Sequence, residues 1–248
     1  MSYPSASPRA SQIDVIDQVG RAYRLVFDRM QLVAEMALLP YLIVLGTQLV
    51  ALLMPGGVIG SILAALIHGI AFIVFASVFY VRWHRFVLLG ESVSDAFIPP
   101  GWMEFLIAEI KVVGILVVGW LVLVMLASVP PIFLTVVLST VGGIALALAA
   151  VRVSLIFPAA AIGEPIGLRT AWDQVEGNFW RLFACVLAAY FPFAIAEMIV
   201  GAIGALFPSL LWIVFEALAL ALTFAGMAVI ATLLSQLYRD IGANNGGG

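Results

Sequence analysis

The sequence has little charge for its length. Only 10% of its 248 residues are Asp, Glu, Lys or Arg, whereas 64% are hydrophobic. A water-soluble domain carries charge on about a quarter of its residues, so the composition disfavours a soluble fold. The net charge of −3 and the lack of a basic tract argue against nucleic acid as a partner. The composition instead predicts an integral membrane protein with a lipid bilayer around it.

The residue types that build reactive sites are also scarce. Cys185 is the one cysteine and lies in an apolar run, so an intrachain disulfide is excluded. Two histidines, His68 and His84, are too few for a diagnostic zinc signature. The sequence contains no phosphate-binding loop and no nucleophile beside a base. We therefore expect no catalytic residues, no metal, no cofactor and no enzymatic activity.

Long apolar stretches define the architecture. A membrane-spanning helix needs about 20 apolar residues, and six stretches qualify, near 32–54, 58–81, 112–129, 132–157, 179–206 and 210–237. Short corners with Pro or Gly separate the first and second, the third and fourth, and the fifth and sixth. Such links make consecutive helices antiparallel neighbours. The prediction is an all-α polytopic membrane protein with six transmembrane helices in three hairpins.

The ends of the chain differ from this domain. Residues 1–11 are rich in Ser, Pro and Ala and predict a disordered tail, and residues 242–248 predict a flexible C-terminal tail. Residues 12–241 form one predicted six-helix domain. Within it, residues 12–30 alternate apolar and charged positions at helical spacing, which predicts an amphipathic helix lying on the membrane surface.

Positive charge predicts the topology. All 11 Lys and Arg fall on the side of the termini and the longer connections, and none lies in the three tight corners. Positive residues near helix ends stay in the cytoplasm, so we expect a multi-pass protein of the bacterial inner membrane with both termini cytoplasmic. Aromatic residues flank the same boundary, as in an interfacial belt: Trp83, Trp102, Trp172, Trp180 and Tyr238.

Similar local patterns suggest a threefold internal repeat over 12–82, 91–152 and 164–239. Ala precedes an aromatic residue near each start, at Tyr23, Phe97 and Trp172, and Arg closes each unit. Each unit would be a surface segment followed by a hairpin.

One segment resembles a known family. Residues 152–164 (RVSLIFPAAAIGE), followed by Ala171-Trp172 and by GNFWRL at 177–182, resemble a pattern in uncharacterised bacterial multi-helix membrane proteins. These include the membrane domain found fused to some glycerophosphodiester phosphodiesterases. The resemblance implies a helical membrane domain without a defined role. It does not imply phosphodiesterase activity, which belongs to a separate soluble domain.

Ionisable residues inside a membrane are candidates for function because they are expensive to place there. Glu197, Glu216 and His68 lie at similar depths from the corners and predict one polar layer that holds a proton or a cation. The alternative is that each glutamate is protonated and hydrogen-bonded by itself. His84, between Trp83 and Arg85, is expected to be a solvated interfacial residue.

Arg82 and Arg152 form a second candidate set because each closes an equivalent hairpin. Guanidinium groups at that depth suit the phosphate of anionic lipid headgroups. The alternative is snorkelling with local pairing to Glu91 or Glu164.

Three functions follow in order of support. The first is a non-enzymatic module that interacts with lipids or with another membrane protein. The second is a small transporter or channel that uses the Glu197, Glu216 and His68 layer. The third, an intramembrane lipid enzyme, lacks a reactive cluster in the sequence.

Overall fold

The computed structural model describes residues 13–52, 54, 57–92, 96–127, 132–207 and 209–245. The predicted tail at 1–11 lies outside these ranges. The described residues form helices and no strands. In chain order the helices are α1 (Val15–Asp28), α2 (Met30–Leu52), α3 (Val58–Leu89), α4 (Trp102–Ala127), α5 (Ile132–Val153), α6 (Ile156–Ala161), α7 (Leu168–Gln174), α8 (Phe179–Gly204) and α9 (Ser209–Asn245).

Six of these helices, α2, α3, α4, α5, α8 and α9, are long and apolar enough to cross a membrane. The chain is an all-α polytopic membrane protein, as predicted. The most extensive contacts between helices join α2 to α3, α4 to α5 and α8 to α9, which are the three predicted hairpins. We call the end with the three tight connections the corner side, and the end with the longer connections the arginine side.

Helix α9 is the centre of the bundle. Within its spanning window 56% of the residues are buried, against 6% for α5. It packs against α1, α2, α3, α6 and α8. Its 37 residues extend for about 55 Å, whereas the hydrocarbon core of a bilayer is about 30 Å thick. Helix α9 therefore reaches beyond the hydrocarbon core, and it offers a packing surface for the helices on the arginine side.

The structure corrects two predicted helix boundaries on the arginine side. Helix α3 runs to Leu89 rather than ending near Val81, and α4 begins at Trp102 rather than near Val112. Arg82 therefore lies within α3 and does not close it. The connection between these helices is correspondingly short, because charged and aromatic residues that suggest a loop in the sequence are helical here.

The end of α9 corrects a third boundary. The helix continues through Asn245, so residues 242–245, predicted to belong to a flexible tail, are helical. Residues 246–248 lie outside the described ranges.

Helix α1 docks onto the bundle. Asp14 caps it by accepting hydrogen bonds from the backbone N–H groups of Ile16 and Asp17. Ala22 and Val26, one turn apart, are buried against α8 and α9. The Tyr23 hydroxyl donates to the Ala189 carbonyl at 2.8 Å, and burial raises the pKa of this phenol. The predicted surface helix thus contacts protein along one face.

Two connections on the arginine side share features that bear on the predicted repeat. Gly90 and Gly163 both adopt positive φ, +70° and +82°, and each precedes a glutamate. The guanidinium of Arg82 lies 5.9 Å from the Phe97 ring, and that of Arg152 lies 4.2 Å from the Trp172 ring. The repeat itself stays a prediction.

Candidate functional site

The predicted polar layer of His68, Glu197 and Glu216 is divided between two hairpins. In the α2–α3 hairpin, His68 Nδ1 lies 3.1 Å from Thr47 Oγ1. In the α8–α9 hairpin, Glu197 Oε1 accepts from the Thr223 hydroxyl at 2.9 Å. No hydrogen bond or ion pair links the three predicted residues within the described chain. The structure therefore gives His68 and Glu197 local partners rather than one another.

A metal centre finds no support in the described part of the chain, where no group of three His, Cys, Asp or Glu residues is close enough to hold an ion. The single cysteine, Cys185, is buried and free.

The two candidate arginines differ in their contacts. Arg82 Nη2 donates to the carbonyls of Ala96 and Phe97, at 2.8 and 3.2 Å. Arg82 thus holds the connection before α4. Glu91, its predicted partner, instead makes a two-pronged bridge with Arg85, at 2.6 and 2.7 Å. That pairing fixes Glu91 beside α3.

Arg152 has aromatic neighbours and no carboxylate. Its guanidinium lies 4.2 Å from the Trp172 ring centroid and 5.3 Å from that of Phe179. Glu164, its predicted partner, makes no ion pair with it, and the structure gives Arg152 none with any other described residue. Stacking on a ring face leaves the N–H edge of a guanidinium available to a phosphate.

An apolar groove of about 290 Å³ adjoins this arginine. Trp172 lines the groove as well as contacting Arg152, and Arg169 lies at it, one helical turn before Trp172 on α7. The Arg169 side chain is almost fully exposed, and its Nε lies 3.9 Å from Asp173 Oδ2, a loose surface pair that contributes little. The remaining wall consists of aliphatic side chains from α4, α5 and α7: Val112, Ile115, Leu116, Ala149, Ala150, Val153 and Leu168. Two cations thus adjoin a surface with the chemistry of an acyl chain.

A second cavity was missed by sequence reasoning. It has a volume of about 270 Å³ and lies among α3, α4, α5, α6, α8 and α9. His84 and Glu109 both line it. The His84 side chain has no exposed surface, which makes the expectation of a solvated histidine wrong. The longer α3 and α9 explain the difference, because they enclose the segment that the sequence assigned to a loop.

Trp83 is enclosed in the same way. Its exposure is zero, and its indole N–H donates to Thr232 Oγ1 of α9 at 2.8 Å. The prediction of Trp83 as an interfacial residue is therefore wrong. The available signal was the pair of polar residues in α9, Thr232 and Ser235, spaced to face the α3 segment that contains Trp83 and His84.

The hydrogen bond of His84 indicates which ring nitrogen carries the proton. His84 Nδ1 lies 2.7 Å from Ser235 Oγ. Ser235 has no other hydrogen bond within the described chain, so its hydroxyl is satisfied only by donating to Nδ1. We therefore assign the imidazole proton to Nε2. This nitrogen is buried and has no hydrogen-bond partner in the part of the chain that the structure describes.

Glu109 lines the same cavity from the neighbouring helix α4. It lies on α4 one turn after Phe105, and His84 lies on α3 one turn after Tyr80. The Phe105 ring joins the two helices, with its centroid 5.9 Å from that of Tyr80 and 6.1 Å from that of His84. Glu109 Oε2 is buried and has no hydrogen-bond partner among the described residues. Two residues that line the cavity therefore each carry a buried polar atom without a partner there, in apolar surroundings.

Comparisons with known proteins give no family for this chain. No family model matches the sequence, and no curated protein and no solved structure is significantly similar to it.

Proposed function

We propose that this protein is a non-enzymatic membrane module that binds anionic lipid at its arginine side. The observation that carries the proposal is Arg152, which stacks on Trp172 and Phe179 without a carboxylate partner in the described chain. A guanidinium held in this way has N–H groups ready for two phosphate oxygens. The lipid phosphate would lie between Arg152 and Arg169, with an acyl chain along the adjoining groove.

The proposal also specifies the membrane leaflet in which the anionic lipid is bound. Anionic lipids attract basic residues at the cytoplasmic leaflet, each contributing about 1 kcal/mol. The positive-inside rule favours the cytoplasm for the arginine side, and the proposal takes both termini to be cytoplasmic and the bundle to lie in a bacterial inner membrane. The predicted likeness to the membrane domain of glycerophosphodiester phosphodiesterases fits such a module, and it stays a prediction.

The alternative of a transporter or channel has less support. It requires a polar path through the membrane, whereas the hydrogen bonds of His68 and Glu197 stay within their own hairpins.

Lipid retention tests the proposal. The full chain is purified from mixed micelles of phosphatidylglycerol and phosphatidylcholine with identical acyl chains, and bound lipid is counted by native mass spectrometry. Arg152→Gln should lower the preference for phosphatidylglycerol about fivefold, as expected for one interfacial cation. Arg24→Gln removes the same charge from an exposed site on α1, where nothing holds a lipid in place, and should lower the preference less than Arg152→Gln does. An unchanged preference in Arg152→Gln would contradict the proposal.

A further inference from the structure

The cavity between His84 and Glu109 is a second site, separate from the proposed anionic-lipid groove. Its wall is aromatic and aliphatic, with Tyr80, Phe105 and Phe157 around the two polar groups. The rings of Phe105 and Phe157 lie 5.5 Å apart, and Tyr80 stacks on His84 at 6.1 Å. A buried polar atom without a partner costs about 1 to 3 kcal/mol. Both atoms belong to residues that line one cavity, so a bound ligand with hydroxyl groups could complete their hydrogen bonds.

The two groups together determine the charge of that ligand. The Nε2–H of His84 donates, which disfavours a cation beside it. The carboxyl group of Glu109 repels an anion when ionised. A hydroxyl group serves both sides because it accepts from an N–H and donates to a carboxylate. An uncharged ligand with hydroxyl groups therefore satisfies both walls.

The volume restricts the size of the ligand. Small-molecule sites usually enclose about 300 to 1,000 Å³, and this cavity holds about 270 Å³. That space takes a small headgroup with the first few methylene groups, and not a complete two-chain lipid.

We propose that the cavity lined by His84 and Glu109 binds the hydroxyl-bearing head of a neutral single-chain amphiphile, such as a monoalkyl glycerol. His84 Nε2–H donates to one hydroxyl oxygen, and the Oε2 atom of the Glu109 carboxyl group accepts from a hydroxyl proton. The aromatic wall formed by Tyr80, Phe105 and Phe157 packs against the first methylene groups of the chain.

Photolabelling of the full chain in micelles tests the assignment. The probe is an alkyl glycerol ether with a diazirine beside its head, and it is compared with a methyl-capped ether, an alkylamine and an alkyl phosphate of equal chain length. Adducts are quantified on the cavity-lining residues Val186 and Ile230. The glycerol ether should label these residues about tenfold more than each of the other probes, since it alone completes both hydrogen bonds.

Two kinds of variant distinguish recognition of the hydroxyl groups from simple occupancy of the cavity by an apolar chain. Glu109→Leu should bring the ratio of glycerol ether to methyl-capped ether close to one, with methyl-capped labelling retained. Glu104→Leu, on the exposed surface of the same helix, should keep the wild-type ratio. Val186→Phe fills the cavity and should abolish labelling of Ile230 by both ethers. His84 is enclosed and its replacement risks unfolding, so the Glu109 variant carries the test.

Equal labelling of the wild type by the two ethers would overturn the proposal, because an apolar chain alone would then account for occupancy. Stronger labelling by the alkylamine would also overturn it, since the cavity would then be a cation site.

Discussion

Polar side chains near the corner side and those near the arginine side meet their hydrogen-bonding needs in different ways. Near the corner side, His68 and Glu197 each face a threonine of the adjoining helix in the same hairpin, at 3.1 and 2.9 Å. Near the arginine side, the buried His84 Nε2 and Glu109 Oε2 have no hydrogen-bond partner among the residues that the structure describes. Polar groups that pair within a hairpin hold two helices together, whereas unpaired groups around a cavity are suited to a ligand.

Packing differs between the same two regions. The buried residues of α3 and α9 concentrate toward the arginine side, where Phe79, Trp83, Leu233 and Leu237 are enclosed. Large apolar side chains toward the corner side are exposed, as Met125 and Phe133 show at 73% and 78%. Interiors of proteins are close-packed and sensitive to lost atoms. We therefore expect stability to depend mainly on the arginine side.

The largest expected effect comes from the enclosed tryptophan. Trp83→Ala should destabilise the fold by about 2 to 3 kcal/mol, less than the usual cost of removing a buried aromatic residue from a water-soluble core. The cost is lower because lipid is as apolar as the core, so mainly packing contacts are lost. Denaturant titration in micelles measures the difference. Trp120→Ala, at a position 52% exposed, should cost under about 0.5 kcal/mol, and equal costs would remove the distinction between the regions.

Replacing a glutamate by leucine should change the stability of the fold with opposite sign near the arginine side and near the corner side. Glu109→Leu should stabilise the empty protein by about 1 kcal/mol, because it removes a buried oxygen without a partner. Glu197→Leu should destabilise by about 0.6 kcal/mol, the average for a hydrogen bond between membrane helices, since it breaks the bond from Thr223. Thermal unfolding in ligand-free micelles compares the two variants. The same sign for both would show that their environments are alike.

The smallest expected effect is a pH dependence on the arginine side. Hydrogen bonds from Arg85 hold the pKa of Glu91 below its ordinary value. The bridge therefore stabilises the fold at pH values above the unfolded pKa of about 4.3, and this contribution is lost as the pH falls through the lower folded pKa. The Glu91 side chain is 45% exposed, so solvent screening keeps the contribution of the bridge below about 1 kcal/mol. Glu91→Gln should flatten the profile of unfolding temperature between pH 3 and 6, and an unchanged profile would exclude the bridge.

The sequence predicts the hairpins well and the cavity poorly, for a physical reason. Hydropathy identifies which stretches cross lipid, because every spanning segment must be apolar. The same measure ends α3 near Arg82 and begins α4 after Lys111, since charge lowers the local average. In the folded chain these segments are covered by α9 and α6. Whether a polar residue is covered depends on packing between distant helices, which a hydropathy profile does not contain.

The partners of the arginines also could not be predicted from the sequence. Glu91 and Glu164 are near Arg82 and Arg152 in sequence, which made them the predicted partners. In the structure Arg85 binds Glu91, and aromatic rings face Arg152. Which side chains meet depends on where the chain turns after α3 and on how α7 and α8 pack beside α5.

Cysteine accessibility tests most directly the claim that one face of the bundle, rich in arginine, lies in the cytoplasm. In a Cys185→Ser background, Glu176→Cys reports on the arginine side and Leu206→Cys on the corner side; both positions are exposed. A membrane-impermeant maleimide added to intact cells should label only Leu206→Cys, and both should react after permeabilisation. Labelling of Glu176→Cys alone in intact cells would contradict the account.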